Sequence, residues 1–338
     1  MLKQIIFTIL AVLFWTTNAS AQFNFRQDAP VGGPRLGKSQ NQTWRAGIVI
    51  EPGASVQNIQ VTIPVPMEWY EQRIININEE KIDADLASRI EYRNLGGAME
   101  MCLRLRSTSP TKPIEVVVAV ELQNFELLPP ENTEQYVIPT QSRILQEFRP
   151  YLRPSQTIES DDPVFARMFA EITRNRNTDW DKIEAVYSFV QNNVKYDETA
   201  WNKPAKGALA VTKMPRGEWS GDCKDMTCLF VALCRAGKIP TRVVRVPEHC
   251  YAEFYLVMKP EGRANNNPVG FWFPCQVSGT YSFGGIPEKR VILQKGDSFP
   301  DRNNPGRSKL FLVEAFNGQK VSGTPDPKYH WVREAVLK

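Results

Sequence analysis

Histidine is nearly missing from this chain: only His249 and His330 occur. A proton transfer near neutral pH that uses an imidazole therefore has two possible sources. His330 stands in the polar C-terminal tail, which leaves His249 as the candidate base. The six cysteines, Cys102, Cys223, Cys228, Cys234, Cys250 and Cys275, include no Cys-x-x-Cys pair. Without that spacing a structural zinc site is not expected. No close-spaced cysteine framework is present either, so most of these thiols read as packing residues or as chemistry. An excess of one charge is also lacking. The formal net charge of +4 is too balanced to mark a nucleic-acid or anionic-membrane partner.

There is one long apolar run, Ile5 to Trp15, preceded by Lys3 and followed by the small residues Ala19-Ser20-Ala21. It is shorter than the roughly 20 residues that span a bilayer. It reads as a signal peptide over residues 1–21, cleaved after Ala21. No cysteine follows the cut, so a lipid anchor is not expected, and no later segment is apolar enough to cross a membrane. Cleavage would remove one lysine and no acid, taking the charge from +4 to +3. The expected product is exported, periplasmic or secreted, without stable membrane insertion.

The mature chain is long enough for two domains. Residues 22–42, rich in Gly, Pro and polar types, read as a flexible lead-in. From Thr43 the period is two: Ile59, Val61 and Ile63 alternate with polar residues, as do Met99, Met101, Leu103 and Leu105. Alternation gives a strand one buried and one wet face. Gly96-Gly97 reads as a hairpin turn and Ile114–Leu122 as a more buried strand. Residues 43–128 are thus expected to form an antiparallel β domain, sandwich-like, with a structural or docking role. Pro129-Pro130 opens an irregular linker, 129–160. Asp161-Asp162-Pro163 marks a helix start, and Thr178 with Asp181 a second one. Ile183, Val186, Tyr187, Val190 and Val194 then lie on one helical face. Trp201 to Trp219 reads as a loop walling a site. In the tail, 286–338, the run Leu310–Phe316 is expected to be a strand packed on one of the domains.

The chemistry is concentrated after that loop. Gly221-Asp222-Cys223-Lys224-Asp225 opens a third helix with Met226, Leu229, Phe230 and Leu233 on one face and Gly237 as its stop. Cys223 is placed at the helix start, where the dipole and free N–H groups favour a thiolate. Those N–H groups could also receive the oxyanion of an acyl intermediate. The glycine before it allows close approach of a substrate backbone. Cys228 and Cys234, deeper in the helix, read as inert core thiols. A strand, Thr241–Val246, precedes His249-Cys250-Tyr251-Ala252-Glu253, and another runs from Gly270 to Gly279. Cys223 and His249 together supply the activated thiol of nucleophilic catalysis.

At these residues the chain resembles the transglutaminase-like family, whose core carries a papain-like Cys-His-Asp arrangement. Three stretches carry the resemblance: Gly221 to Asp225 continuing through Leu229–Val244, His249 to Glu253, and Trp272 to Gln276. It covers about residues 161–285. It implies an α+β fold in which helices, one starting at the Cys, pack on an antiparallel sheet carrying the His. The family's third residue is Asp, and here Gln276 takes that place. A Gln carbonyl can accept the Nδ1–H of the imidazole but brings no negative charge. The same alignment sets Cys250 opposite Cys275, a candidate disulfide. The family's upstream Trp oxyanion donor falls on Trp201, with Trp219 as the other choice. The resemblance implies a thiol enzyme acting on the amide or peptide carbonyls of a protein or peptide substrate through a Cys thioester. Water would make it a protease or amidase, and an amine would make it an acyl transferase. The alternative is a transglutaminase-like module that binds or scaffolds without catalysis, which Gln276 favours. No cofactor is implied, and no ligand cluster supports calcium or another metal.

Overall fold

A computed structural model describes residues 32–82, 87–108, 111–140, 142–259 and 268–337. The expected signal peptide and the first part of the lead-in lie outside the described residues. Six strands come first: β1 (Arg35–Ile50), β2 (Val56–Val65), β3 (Gln72–Ile82), β4 (Ala87–Asn94), β5 (Met99–Ser107) and β6 (Ile114–Leu128). A mixed segment follows with β7 (Tyr136–Val137), α1 (Ser142–Glu147), α2 (Pro163–Thr173), α3 (Asp179–Asn193), β8 (Lys195–Tyr196), α4 (Ala208–Thr212), β9 (Ser220–Gly221) and α5 (Cys223–Ala236). Then come β10 (Thr241–Val246), β11 (His249–Met258), β12 (Gly270–Gln276), β13 (Ser282–Phe283) and β14 (Gln294–Lys295). The chain ends with β15 (Phe299–Pro300), β16 (Ser308–Lys309), β17 (Ala315–Lys320) and β18 (Tyr329–Leu337).

The period-two segments build two antiparallel four-stranded sheets, ordered β18-β1-β6-β3 and β17-β2-β5-β4. Their inner faces meet in one core, in which Ile48, Val61, Leu103 and Val118 are buried together. Each such side chain contributes about 1.5–3 kcal/mol relative to exposure. Asn94 pairs with Met99 across the Gly96-Gly97 hairpin, and Gly96 takes a φ of 81° that glycine adopts without strain.

Three expectations need correction. The lead-in does not run to residue 42: β1 starts at Arg35, and Arg35 to Gln42 pair with Leu128 to Leu122 of β6. Backbone bonds hold a polar strand as well as an apolar one, and Gln42 donates to Asn124 Oδ1 at 2.9 Å. The 129–160 segment is not wholly irregular, since β7 pairs with β11 and buries Tyr136 in the core. The tail strand is not Leu310–Phe316. The Gln294 amide instead clasps the apolar run, donating to the Leu310 carbonyl at 3.2 Å and accepting from the Leu312 N–H at 2.9 Å. The tail strands are β17 on β2 and β18 on β1, so the C-terminal residues complete both sheets of the sandwich.

The second unit is α+β. An antiparallel sheet, ordered β13-β12-β11-β10-β14, carries α2, α3 and α5 on one side. Asp162 caps α2 through Val164 N–H, and Thr178 caps α3 through Asp181 N–H at 3.0 Å. α5 is buried nearly all round, as expected of a central helix. Arg235, in its last turn, is closed off by Asp297 at 2.5 and 3.0 Å and by the carbonyls of Arg153 and Thr241. A second buried network joins the two units. Lys295 donates to Glu71, next to β3, and to Glu253 of β11 at 2.5 and 2.6 Å. Burial pushes the Glu253 carboxyl up, but Arg242 and Lys295 outweigh it and hold it below its ordinary value.

Candidate active site

Asp222 caps α5. Its Oδ1 accepts from the N–H groups of Lys224 at 2.9 Å and Asp225 at 3.2 Å. Its Oδ2 forms an ion pair with Lys224 Nζ at 2.7 Å, without hydrogen-bond alignment. The cap uses the N–H groups of Lys224 and Asp225 and not that of Cys223, the first residue of the helix. Lys224 Nζ also donates to the Trp201 carbonyl at 2.6 Å and stands 4.6 Å above the Trp201 ring. The side chain after Cys223 thereby ties the Trp201 loop to the helix start. Trp219 is committed elsewhere, its indole N–H donating to Met214 O at 3.1 Å. Gly221 answers an internal need: a β-carbon there would lie 2.5 Å from that of Asp225. The close approach expected for a substrate backbone is made by the chain's own helix.

His249 opens β11 after a two-residue turn, in which Val246 pairs with His249. Pro247 fixes a negative φ and Glu248 takes +57°, the pattern of a type II turn. On the neighbouring strand Gln276 ends β12. Its Oε1 accepts from Nε2–H of His249 at 2.9 Å. The sequence had assigned this bond to Nδ1. The structure gives it to Nε2 and leaves Nδ1 as the nitrogen for the thiol side.

The register corrects the cysteine pairing. Ala252, not Cys250, stands opposite Cys275, and both Cys250 and Cys275 are free. Cys250 lies on the α5 face of β11 with Ala252, Phe254 and Leu256, whereas Tyr251 packs in a separate cluster. Its S–H donates to Thr227 Oγ1 at 3.8 Å, one helical turn beyond Cys223.

The donors converge on Cys223. Its thiol is brought from 9.0 down to about 5, chiefly by the neighbouring Cys250 thiol. Burial opposes that fall, while the His249 ring N–H, the His249 charge and the Cys250 backbone N–H add to it. Burial and the bond to Cys223 push Cys250 well up, so it keeps its proton. Cys228, Cys234 and Cys275 are all pushed up by burial. Cys223 itself is fully buried, at 0 % exposure, and His249 is half-buried. Tyr196, 46 % exposed, pairs with Gly221. Burial raises its phenol and the charges of Cys223, Asp222 and Cys250 raise it further. Neither Tyr196 nor Cys250 was expected from the sequence to stand beside Cys223.

A cavity of about 560 Å³ opens between α2 and α3, lined by Ile172, Phe189, Asn192 and Arg216 among others. It does not include Cys223, His249 or Gln276. Among the described residues no group of His, Cys, Asp and Glu could hold a metal, and no helix is long and apolar enough to cross a membrane.

This geometry is that of a thiol site on an α+β core, and residues 166–276 match the family model of the transglutaminase-like superfamily. A solved structure of a candidate cysteine protease from Cytophaga hutchinsonii has the same fold, with a TM-score of 0.54 at 14% identity over 90% of this chain and 100% of that one. An uncharacterised protein of Haemophilus influenzae is 22% identical over 200 residues, 58% of this chain and 52% of its own. The chain thus spans about half the length of that relative.

Proposed function

We propose that the protein is an exported cysteine enzyme that cleaves or transfers amide and peptide acyl groups. The observation that carries the reading is the Cys223 sulfur at the start of α5, with His249 held beside it by Gln276 at 2.9 Å. Cys223 thiolate attacks the carbonyl carbon. The carbonyl oxygen takes the negative charge and is met by the Cys223 N–H, with the Trp201 indole as second donor. The C–N bond breaks as His249 gives its Nδ1 proton to the leaving amine, and a thioester remains. Water, deprotonated by His249, then resolves the thioester to an acid, or an amine resolves it to a new amide. Gln276 holds the ring by accepting from Nε2–H throughout. The family resemblance favours water.

One observation favours a second reading, a binding module without turnover: the sulfur is fully buried. The two readings are separated by incubating the mature protein and Cys223→Ala with a panel of peptide amides, with and without a labelled primary amine. The enzyme reading expects Cys223-dependent amine release, or label incorporation. Equal and negligible turnover by both proteins across the panel would leave the binding module.

A further inference from the structure

A buried lysine is unexpected at the start of α5. Lys224 is the second residue of that helix, where the positive end of the dipole disfavours a cation. It is only 6 % exposed, and a buried ammonium is costly unless it is paired. Its contacts account for the placement. Nζ donates to the Trp201 carbonyl at 2.6 Å, lies 2.7 Å from Asp222 Oδ2 and stands 4.6 Å from the centre of the Trp201 ring. Asp222 is fully buried and fixed by its own cap bonds, so the ammonium is held against a fixed counter-ion.

The segment carrying Trp201 is fastened at three points. The Asp197 N–H donates to the Gly221 carbonyl at 2.9 Å. The Lys206 N–H donates to Asp225 Oδ1 at 2.6 Å. Lys224 takes the middle, and of the three anchors it is the one on Trp201 itself. Gly221, Lys224 and Asp225 all lie within two residues of Cys223, so the segment is registered on the nucleophile's own turn. Trp219, the other indole of the preceding loop, spends its N–H on Met214 O at 3.1 Å.

We propose that Lys224 is a positioning residue that sets the Trp201 indole as the second donor to the oxyanion. The proposal deepens the thiol-enzyme reading and rests on it. A donor lowers the barrier most when it is already aimed where charge develops. The bond to the Trp201 carbonyl fixes the main chain, and the ammonium over the ring restrains its plane. One side chain thus sets both position and tilt. A segment held at its ends alone would leave the indole to be ordered at each turnover. Lysine suits both tasks, since its ammonium is a compact charge with donors that turn freely.

The test compares the full mature protein with Lys224→Met, Lys224→Arg, Trp201→Phe and the double variant Lys224→Met/Trp201→Phe. Trp201→Phe keeps a ring under the ammonium and removes the N–H. Circular dichroism checks that each is folded. The peptide amide of the panel that the wild type turns over fastest gives kcat and KM, and hydrogen exchange by mass spectrometry follows residues 197–206 without substrate. Trp201→Phe should lower kcat by roughly 100-fold with KM little changed. Lys224→Met should lower kcat by about 10- to 100-fold in the same way, and Lys224→Arg, which keeps the charge, by less. The double variant should be about as slow as Trp201→Phe, because the two residues act as one. In Lys224→Met, exchange over 197–206 should rise while the body of α5 stays protected. An unmoved kcat in Lys224→Met, unmoved exchange over 197–206, or a double variant whose loss is the product of the two single losses overturns the role. Should Lys224→Met not fold, Lys224→Gln against Lys224→Arg makes the same comparison. A wild type that turns over no amide loses the enzyme reading and this role with it. An active wild type with an unmoved or multiplicative Lys224→Met loses this role alone.

Discussion

The first turn of α5 and the body of the same helix hold the same residue type in opposite states. Cys223, Cys228 and Cys234 are all fully buried. Burial pushes the last two up, while Cys223 is brought down to about 5. Depth is therefore not what separates them. In the body of the helix the thiols have packed side chains around them and lone hydroxyl neighbours. At the first turn the Cys250 thiol, the His249 ring and the Cys250 backbone N–H all favour the charged form of one sulfur. Converging donors, not exposure, single out the reactive thiol. The charges divide the same way: Arg235 in the last turn is closed off by Asp297, whereas Lys224 in the first turn holds the Trp201 loop.

The largest expected break in this comparison is at the closed end. Asp297→Ala leaves a buried guanidinium without its carboxylate, which costs about 3–5 kcal/mol. Asp222→Ala removes the cap at the first turn and costs about 0.5–2 kcal/mol. Urea unfolding followed by circular dichroism measures both. A greater loss from Asp222→Ala would show that the first turn, not the body, anchors the helix.

A smaller effect sharpens the contrast between the thiols themselves. The folded value of Cys223 lies below its ordinary one, so its contribution to stability is present above pH 9 and lost as pH falls through about 5. Cys228 is shifted the other way, so its contribution is present below pH 9 and lost as pH rises past it. The difference in unfolding free energy between wild type and Cys223→Ser should therefore grow from pH 5 to pH 9. The same difference for Cys228→Ser should stay level over that window. Brief iodoacetamide treatment near pH 7 should label Cys223 ahead of both, as mapped by peptide mass. Level differences for both variants would mean that the two ends of the helix are electrostatically alike.

How far this was legible in the sequence depends on whether a feature is local. The start of α5, its Asp222-Cys223 junction and the stop at Gly237 follow from capping and periodicity. The β alternation from Ile59 to Leu105 follows from period two. The choice of His249 follows from scarcity. The pairing partners did not follow, because register is a non-local quantity. A shift of two positions moved Cys275 from Cys250 to Ala252, and the same shift still left Gln276 diagonal to His249 and within reach. The side of β11 taken by α5 decided that Cys250 faces the first turns of that helix, and nothing in the local pattern encodes that side. The tail strands β17 and β18 were missed for the same reason. Their alternation is weak, and their hydrogen bonds are made with β2 and β1, more than 250 residues away.

The smallest effect concerns the one departure from the family pattern. Gln276 accepts from His249 Nε2–H with an oxygen at 2.9 Å, so the geometric half of the third residue's task is met. The missing half is charge. Gln276→Glu keeps the length of the side chain and adds that charge, whereas Gln276→Asp withdraws the acceptor by one methylene. A carboxylate at this buried position would stabilise the imidazolium, and the alkaline limb of Cys223-dependent turnover should move up by about one unit. At neutral pH the gain should be modest, within roughly tenfold, because Cys250 already favours the thiolate. Gln276→Asp should gain less, since its bond to Nε2 lengthens. The full pH profile of turnover in the three proteins decides it. An alkaline limb that stays in place in Gln276→Glu would mean that charge is not what this site lacks, and that the first turn of α5 already supplies enough donors.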